Sequence, residues 1–463
     1  MNTLVLAWRN VRRNGRRSLL TLIALLAGSL GVLLFGGYVN DTIHGLQTST
    51  VRTHGHLQVV ARGYLEFGRG NPGRYSIRDP QALIERIRGD AVLAPMVRLA
   101  TPVLDVEGVA GHYAAHASAN FVGQGVVPAE RREQLAWDGF GIGIPPSPTA
   151  LSDHEPAAGT IGVGLAQLLS LCDALALRDC RRQALPVTLA SAERVPDDVA
   201  SLAELAAGGA PAAPAEAAAV ELLAASPAGL PNVVRMKVLQ AERQGIRQVD
   251  SMYVAMPLEL SQRLVFGPGA KAVSAIVVQL QHTDQLDAAR ERLRQLAGTG
   301  AQALEVLDFH ELSPVYDQII ANYATIFQFI AMLMAVVTLA AVAGAVNMAV
   351  SERTAEIGTL RSLGFQRGTI RQVFLLEGTL LGLGGTLAGT LLAFAASVAI
   401  NVSGLSWTPP GRSEPIPIFV DIASAPLLVL ATVLGLTLIA ALSAWRPAQR
   451  AARMEVAEAL RHA

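Results

Sequence analysis

"SERTAEIGTLRSLGF" (residues 351–365) is a charged, helix-favouring stretch set between two long apolar blocks. The run before it, between Asp317 and Glu352, holds no charged residue. The run after it, from Val373 to Ile400, carries one acid, Glu377. A bilayer core is crossed by roughly 20 apolar residues rising about 1.5 Å each, so both blocks are long enough to span. Two further runs qualify: the charge-free residues between Arg17 and Asp41, and "IASAPLLVLATVLGLTLIAALSAW" between Asp421 and Arg446. The chain is 51% apolar and only 16% charged. With its apolar residues gathered into four spans, it reads as an integral membrane protein.

A secretory signal peptide is the alternative for the first run, because basic residues precede it. Its apolar stretch exceeds a signal core of about 7–15 residues, and no A-x-A site follows. A retained helix is expected. Arginine placement sets the orientation. Arg9, Arg12, Arg13, Arg16 and Arg17 precede the first span, Arg353, Arg361, Arg367 and Arg371 follow the second, and Arg446, Arg450, Arg453 and Arg461 follow the fourth. The link between the third and fourth spans has only Arg412. By the positive-inside rule both termini and the second link are cytoplasmic, and residues 41–317 lie outside.

That outer region is large enough for one or two folded domains. "HLQVVA" (56–61) and "VRLATPVLDVEG" (97–108) alternate like strands, as do "DSMYVAMP" and "AVSAIVVQL". "DPQALIERIRGD" spaces Leu83, Ile84 and Ile87 along a short amphipathic helix that opens at Asp79 and Pro80. Strands mixed with short helices define an α+β domain. Residues 172–231, rich in Ala, Gly and Pro towards their end, read as an insertion rather than a core element.

The expected organisation is a cytoplasmic amphipathic lead-in helix (1–17), span 1 (18–40), the outer domain (41–317) and a stalk with span 2 (318–350). A cytoplasmic helix and link (351–372), span 3 (373–400), a short outer loop (401–421), span 4 (422–445) and a cytoplasmic tail (446–463) follow. The charge-free second run would reach about 50 Å as helix, against about 30 Å of hydrocarbon. That surplus suggests a stalk. Gly382, Gly384, Gly385 and Gly389 in span 3 permit close helix approach, for instance against a second permease copy, or reflect the ordinary abundance of glycine in membrane helices. Glu377 is expected to snorkel to the interface, with hydrogen bonding inside the bundle as the alternative.

Motifs that carry chemistry are absent. The sequence contains no G-x-S-x-G, no H-E-x-x-H and no G-x-x-x-x-G-K-[ST]. His54 with His56, and His112 with His116, have no accompanying ligand set, so surface or hydrogen-bonding roles are expected. Cys172 and Cys180 permit a disulfide in an oxidising compartment, or remain two thiols. No cofactor or metal is expected on this chain.

Within 351–365, Ser351 can cap a helix, Glu352 and Glu356 suit its positive end, Arg361 suits the other, and Gly364 fits the position just past it. Ile357, Leu360 and Leu363 form a narrow apolar stripe. Such a helix could dock in another protein's groove or rest on lipid headgroups.

The stretch "SERTAEIGTLRSLGFQRGTIRQVFLLEGTLLGLGGTLAG" resembles the signature of the MacB/LolC/LolE/FtsX superfamily of ABC-transporter permeases, E-R-x-x-E-I-G-x-L-R-x-L-G followed by a basic link and a glycine-bearing span. The tail "RPAQRAARMEVAEALRHA" is similar to that family's ending, with Val456 in place of its proline. "LAWRNVRRNGRRSLLT" and "GHLQVVARGY" also look like family elements. The resemblance implies four spans per subunit and a pair of permeases, identical or paralogous, working with two cytoplasmic ATPases that bind ATP and Mg. It implies that Glu352, Arg353, Glu356, Ile357, Leu360, Arg361, Leu363 and Gly364 belong to the coupling helix seated in the ATPase. The expected function is a non-catalytic permease in a bacterial inner membrane, driving release or export of a lipoprotein, lipid or other hydrophobic cargo. Macrolide-exporter members carry a fused ATPase, and its absence here leans the expectation towards lipid-anchored cargo. Membrane lipid and a periplasmic lipoprotein, chaperone or adaptor are further expected partners, and nucleic acid is not. A division-type transducer that activates a cell-wall hydrolase is the alternative. A membrane-anchored enzyme is a third, disfavoured by the missing motifs.

Overall fold

Among the described residues, four helices are long and apolar enough to cross a membrane: Ser18–His54, Pro314–Glu352, Arg367–Ser403 and Pro426–Arg453, called spans 1 to 4 below. The structure, a computed structural model, describes residues 3–13, 15–68, 70–146, 148–177, 218–300, 302–412 and 414–454. Gln47–Pro314 and Thr408–Pro415 form one compact unit, the large domain. The rest of the described chain forms the other, the helix bundle.

Span 1 belongs to a helix of 40 residues (Gly15–His54) and span 2 is one of 39 (Pro314–Glu352). Each is about 60 Å long, twice a hydrocarbon core of about 30 Å. The sequence placed an extension on span 2 and ended span 1 at Asn40. Span 1 instead runs on through the polar residues to His54. Nothing there stops it: the stretch has no proline, and the hydroxyls of Thr42 and Thr53 donate to carbonyls four residues back, Tyr38 O at 2.8 Å and Ser49 O at 2.9 Å.

Span 3 is the centre of the bundle because its glycines admit two neighbours. A β-carbon on Gly378 or Gly382 would lie 2.7 Å from the β-carbons of Ala444 and Ala440 in span 4. One on Gly385 would lie 2.5 Å from Leu25 Cβ, and one on Gly389 would lie 2.6 Å from Leu26 O, both in span 1. These glycines are therefore used within the chain. Gly384 faces Leu22 at an ordinary 3.6 Å and is exposed. The hydroxyls on this face are satisfied locally, as a low-dielectric setting requires. Ser29 Oγ donates to Thr386 O at 3.0 Å, and Thr386 Oγ1 donates to Gly382 O at 2.9 Å.

The large domain is organised by one long strand. Its strands are β1 (Leu57–Ala61), β2 (Val97–His112), β3 (Ala117–Val126), β4 (Ala158–Gly162), β5 (Ala219–Ala225), β6 (Pro231–Glu242), β7 (Tyr253–Pro257), β8 (Ala275–Leu280) and β9 (Leu304–Asp308). They run in the order β3-β7-β4-β6-β5-β2-β8-β1-β9, and β2 also pairs with β3. The first half of β2 (97–103) bonds β8, while Leu104–His112 bonds β3. The strands β2-β3-β7-β4-β6-β5 thus close on themselves, and β8-β1-β9 continue as an open sheet. Phe121, Ile161, Leu222, Met236 and Leu264 fill the closed part. The open sheet packs Val59, Ile276 and Val306 against Ile84 and Ile87 of the helix Pro80–Gly89 and Leu293 of the helix Leu286–Gly298. Strands with segregated helices match the α+β expectation.

Residues 172–231 are not all insertion. Residues 178–217, with Cys180, lie outside the described residues, but Ala219–Ala225 is β5 of the closed sheet. Its alternation is real, with Val220, Leu222 and Ala224 inward. Cys172 lies in the turn that follows the short helix Val163–Leu168. In the link between spans 3 and 4, the tip joins the large domain. Arg247 N–H donates to Gly411 O at 3.0 Å, and Arg243 lies 3.8 Å from Glu414.

The histidines do not gather into a metal centre, and no cluster of ligand side chains is present among the described residues. His56 is a core residue: Leu280 N–H donates to its Nδ1 at 3.0 Å, and its ring meets Trp137 edge-on. Its Nε2 lies 3.1 Å from Thr283 Oγ1. Burial pushes its pKa down to about 4. Asp90 is held down to about 2, first by the Arg292 guanidinium and then by the N–H groups of Leu93 and Val92.

Two predictions follow from this packing. Gly385→Val and Gly389→Val should each lower stability in detergent by about 1–3 kcal/mol through overpacking, whereas Gly384→Val should leave the thermal midpoint unchanged. For pH, both folded-state pKa values lie below their unfolded values, so stability is lost on acidification. The His56 contribution should fade as pH falls from about 6.5 to about 4, and the Asp90 contribution from about 3.8 to about 2. Thermal midpoints measured against pH should show both steps, and Asp90→Asn should remove only the second.

Candidate coupling site at one end of the helix bundle

Residues 351–365 fold as a short helix directly after span 2. The span 2 helix runs through Ser351 to Glu352, then breaks at Arg353 (φ −106°, ψ 18°), and Thr354–Ser362 resumes the helix. Ser351 therefore caps nothing, because the preceding helix has not ended. Its hydroxyl donates to Met348 O at 2.9 Å. The far end closes as the sequence suggested. Gly364 takes φ +90°, its N–H donates to Arg361 O at 3.1 Å, and Phe365 N–H donates to Leu360 O at 3.1 Å. That is a Schellman turn, in which the C′ residue adopts a left-handed conformation that glycine takes without strain.

The eight residues singled out in the sequence divide between two faces. Arg353 and Ile357 point inward and are buried, Ile357 among Val350, Ile370, Phe374 and Ala448. Leu360 and Arg361 are half-buried, and Arg361 Nη1 donates to Ala452 O at 3.4 Å. Glu352, Glu356 and Gly364 are exposed, and Leu363 is 73% exposed. The apolar stripe is thus shared: its first member packs into this chain and its last faces out.

Three further contacts hold the helix in place, and sequence reasoning missed all of them. Arg13 of the lead-in helix Thr3–Arg13 donates to Glu356 Oε2 at 2.6 Å. Arg353 Nη2 donates to Asn10 O at 3.3 Å. Arg353 Nη1 also lies 3.6 Å from Glu377 Oε2 in span 3. Glu377 therefore does not snorkel outward from the helix surface: it is only 5% exposed and packed inside the bundle. A signal was present: Glu377 shares its helix face with Gly378, Leu381, Gly382 and Gly385, the face that packs inward.

Four arginines gather at this end. Arg13, Arg353 and Arg361 make the contacts above, and Arg371 stacks over Trp445 with 5.2 Å from guanidinium to ring centroid. The lead-in helix, the short helix, the start of span 3 and the end of span 4 are thus neighbours. An exposed charged and apolar face is presented beside them.

A membrane protein with a sheet-rich domain between the first two of its candidate spans is the class defined by this architecture. Residues 328–456 match the FtsX-like permease C-terminal family, a region that includes the short helix and spans 3 and 4. The chain is 27% identical over 227 residues to the macrolide export ATP-binding/permease protein MacB of Psychrobacter arcticus, covering 48% of this chain and 32% of that one. It is 29% identical over 131 residues to the lipoprotein-releasing system transmembrane protein LolC of Haemophilus influenzae, covering 28% and 32%. It is 28% identical over 138 residues to the ABC transporter permease YtrF of Bacillus subtilis, covering 29% and 31%. The chain thus spans about a third of the length of these relatives. These matches support an ABC permease of the FtsX/MacB/LolC type.

The division of faces is testable by stability. Ile357→Ala should cost about 2–5 kcal/mol as a buried large-to-small change. Leu363→Ala should cost less than about 0.5 kcal/mol, as an exposed one. Thermal melting of the purified chain in detergent checks both.

Proposed function

We propose that the chain is the membrane subunit of an ABC transporter driven by a separate cytoplasmic ATPase. It lies in the bacterial inner membrane with both termini inside and the large domain outside. The observation that carries this reading is the helix Thr354–Ser362, held at the arginine-rich end of the bundle with Glu352, Thr359 and Leu363 facing out. An anchored inward face and an exposed mixed face suit a helix that seats in a partner's groove. The arginines at that end support a cytoplasmic position. ATP and Mg belong to the partner in this account, and this chain supplies the mechanical link.

Spans 1 and 2 both continue well beyond a bilayer's thickness, so either can carry motion from the cytoplasmic end to the large domain. The cargo is a lipoprotein, lipid or other hydrophobic molecule, in keeping with the names of relatives that release lipoproteins or export macrolides. A second permease copy or a paralogue would complete the unit.

The deciding experiment is affinity purification from the native membrane in mild detergent, followed by mass spectrometry. The wild-type chain should retain a P-loop ATPase, and Leu363→Asp combined with Glu352→Lys should lose it while melting normally. Retention of the ATPase by that variant would contradict the seat. Recovery of a cell-wall hydrolase in place of cargo would favour a transducer of division type.

A further inference from the structure

The break between span 2 and the short helix is one residue wide, and that residue is tied to a different span. Arg353 leaves helical geometry, so the chain alone would let Thr354–Ser362 swing about it. Its side chain, however, is 7% exposed and meets the 6% exposed Glu377 carboxylate. The same guanidinium reaches Asn10 O of the lead-in helix and lies 4.0 Å from Glu356. Glu356 in turn holds Arg13. One buried pair therefore joins the break, the short helix, the lead-in helix and span 3.

We propose that Arg353 and Glu377 are positioning residues whose buried ion pair latches the break to span 3, so that movement of the short helix is passed into span 3 as well as along span 2. At 3.6 Å the contact is an ion pair and not a charge-assisted hydrogen bond, which settles at about 2.7–2.9 Å. Replacing a buried ion pair by apolar residues of similar size is often neutral or stabilising, while losing one partner strands a charge. What the pair supplies is a defined angle. Without it, backbone freedom at Arg353 is opposed by the packing of Ile357, by the 3.4 Å Arg361–Ala452 hydrogen bond and by the exposed Arg13–Glu356 pair, and exposed pairs hold weakly. The part of this inference that concerns force transmission rests on the ATPase seat proposed above.

The test uses spin labels at two exposed positions, Leu363 beyond the short helix and Leu391 in span 3. Distances are read by pulsed electron paramagnetic resonance on the full chain, diluted with unlabelled chain. The wild-type background should give one narrow distance. Arg353→Met with Glu377→Leu, and separately Glu377→Gln, should each lose that single narrow distance. The apolar pair should keep the thermal midpoint of the wild type. An unchanged narrow distance in a folded variant would overturn the latch. Should the apolar pair fail to fold, Glu377→Gln decides alone, because it keeps the side chain's shape and hydrogen-bonding capacity. Without labels, both variants should still co-purify the ATPase, because neither side chain lies on the exposed face proposed as its seat. A wild-type chain that binds no ATPase would defeat the seat, while the distances in the chain alone would still decide the latch.

Discussion

Close approach of span 3 to spans 1 and 4 is the constraint on which the bundle rests. Gly378 and Gly382 meet the alanines of span 4, and Gly385 and Gly389 meet Leu25, Ser29 and the backbone of span 1. In lipid, burial of apolar surface does not distinguish helix from hydrocarbon, so van der Waals contact at short range has to hold the helices. That contact fixes where the start of span 3 lies. It thereby places Glu377 within reach of Arg353, and it brings Arg371 under Trp445. The packing that stabilises the bundle thus also builds the end at which a partner is proposed to sit.

The large domain meets its own constraint differently. One strand, β2, is long enough to serve two sheets, bonding β8 with its first half and β3 with its second. Closure through β3, β7, β4, β6 and β5 leaves little free edge on that side, which guards against edge-to-edge pairing. Gly125 shows how tightly a helix lies on this closed part. A β-carbon there would fall within 1.7 Å of Ser261 Oγ, in the helix Leu258–Phe266.

Much of this was legible in the sequence. The four spans could be read because charge is absent, or limited to Glu377, over lengths that only a membrane tolerates. Helix formation after Glu352 and the turn at Gly364 followed from local rules of charge and backbone freedom. The direction in which Arg353 and Ile357 point was not legible, because a stripe on a nine-residue helix does not say which of two partners receives it. Glu377 was misplaced for a related reason: its depth depends on span 3 being central, and that follows from contacts between distant segments. β5 was hidden because alanines flatten the contrast between inward and outward positions, as Ala219, Ala224 and Ala225 show. The extension of span 1 beyond Asn40 was missed because polarity ends the membrane but does not end a helix.

The most direct test of the central claim is a photo-crosslinking amino acid placed at Leu363 in cells that express the native partners. A matching probe at Leu427, an exposed residue in the first turn of span 4, serves as the control. The account predicts that illumination joins position 363 to a P-loop ATPase, and that position 427 does not reach it. A probe at 363 that labels only lipid, with the chain folded and its ATPase present in the cell, would contradict the account.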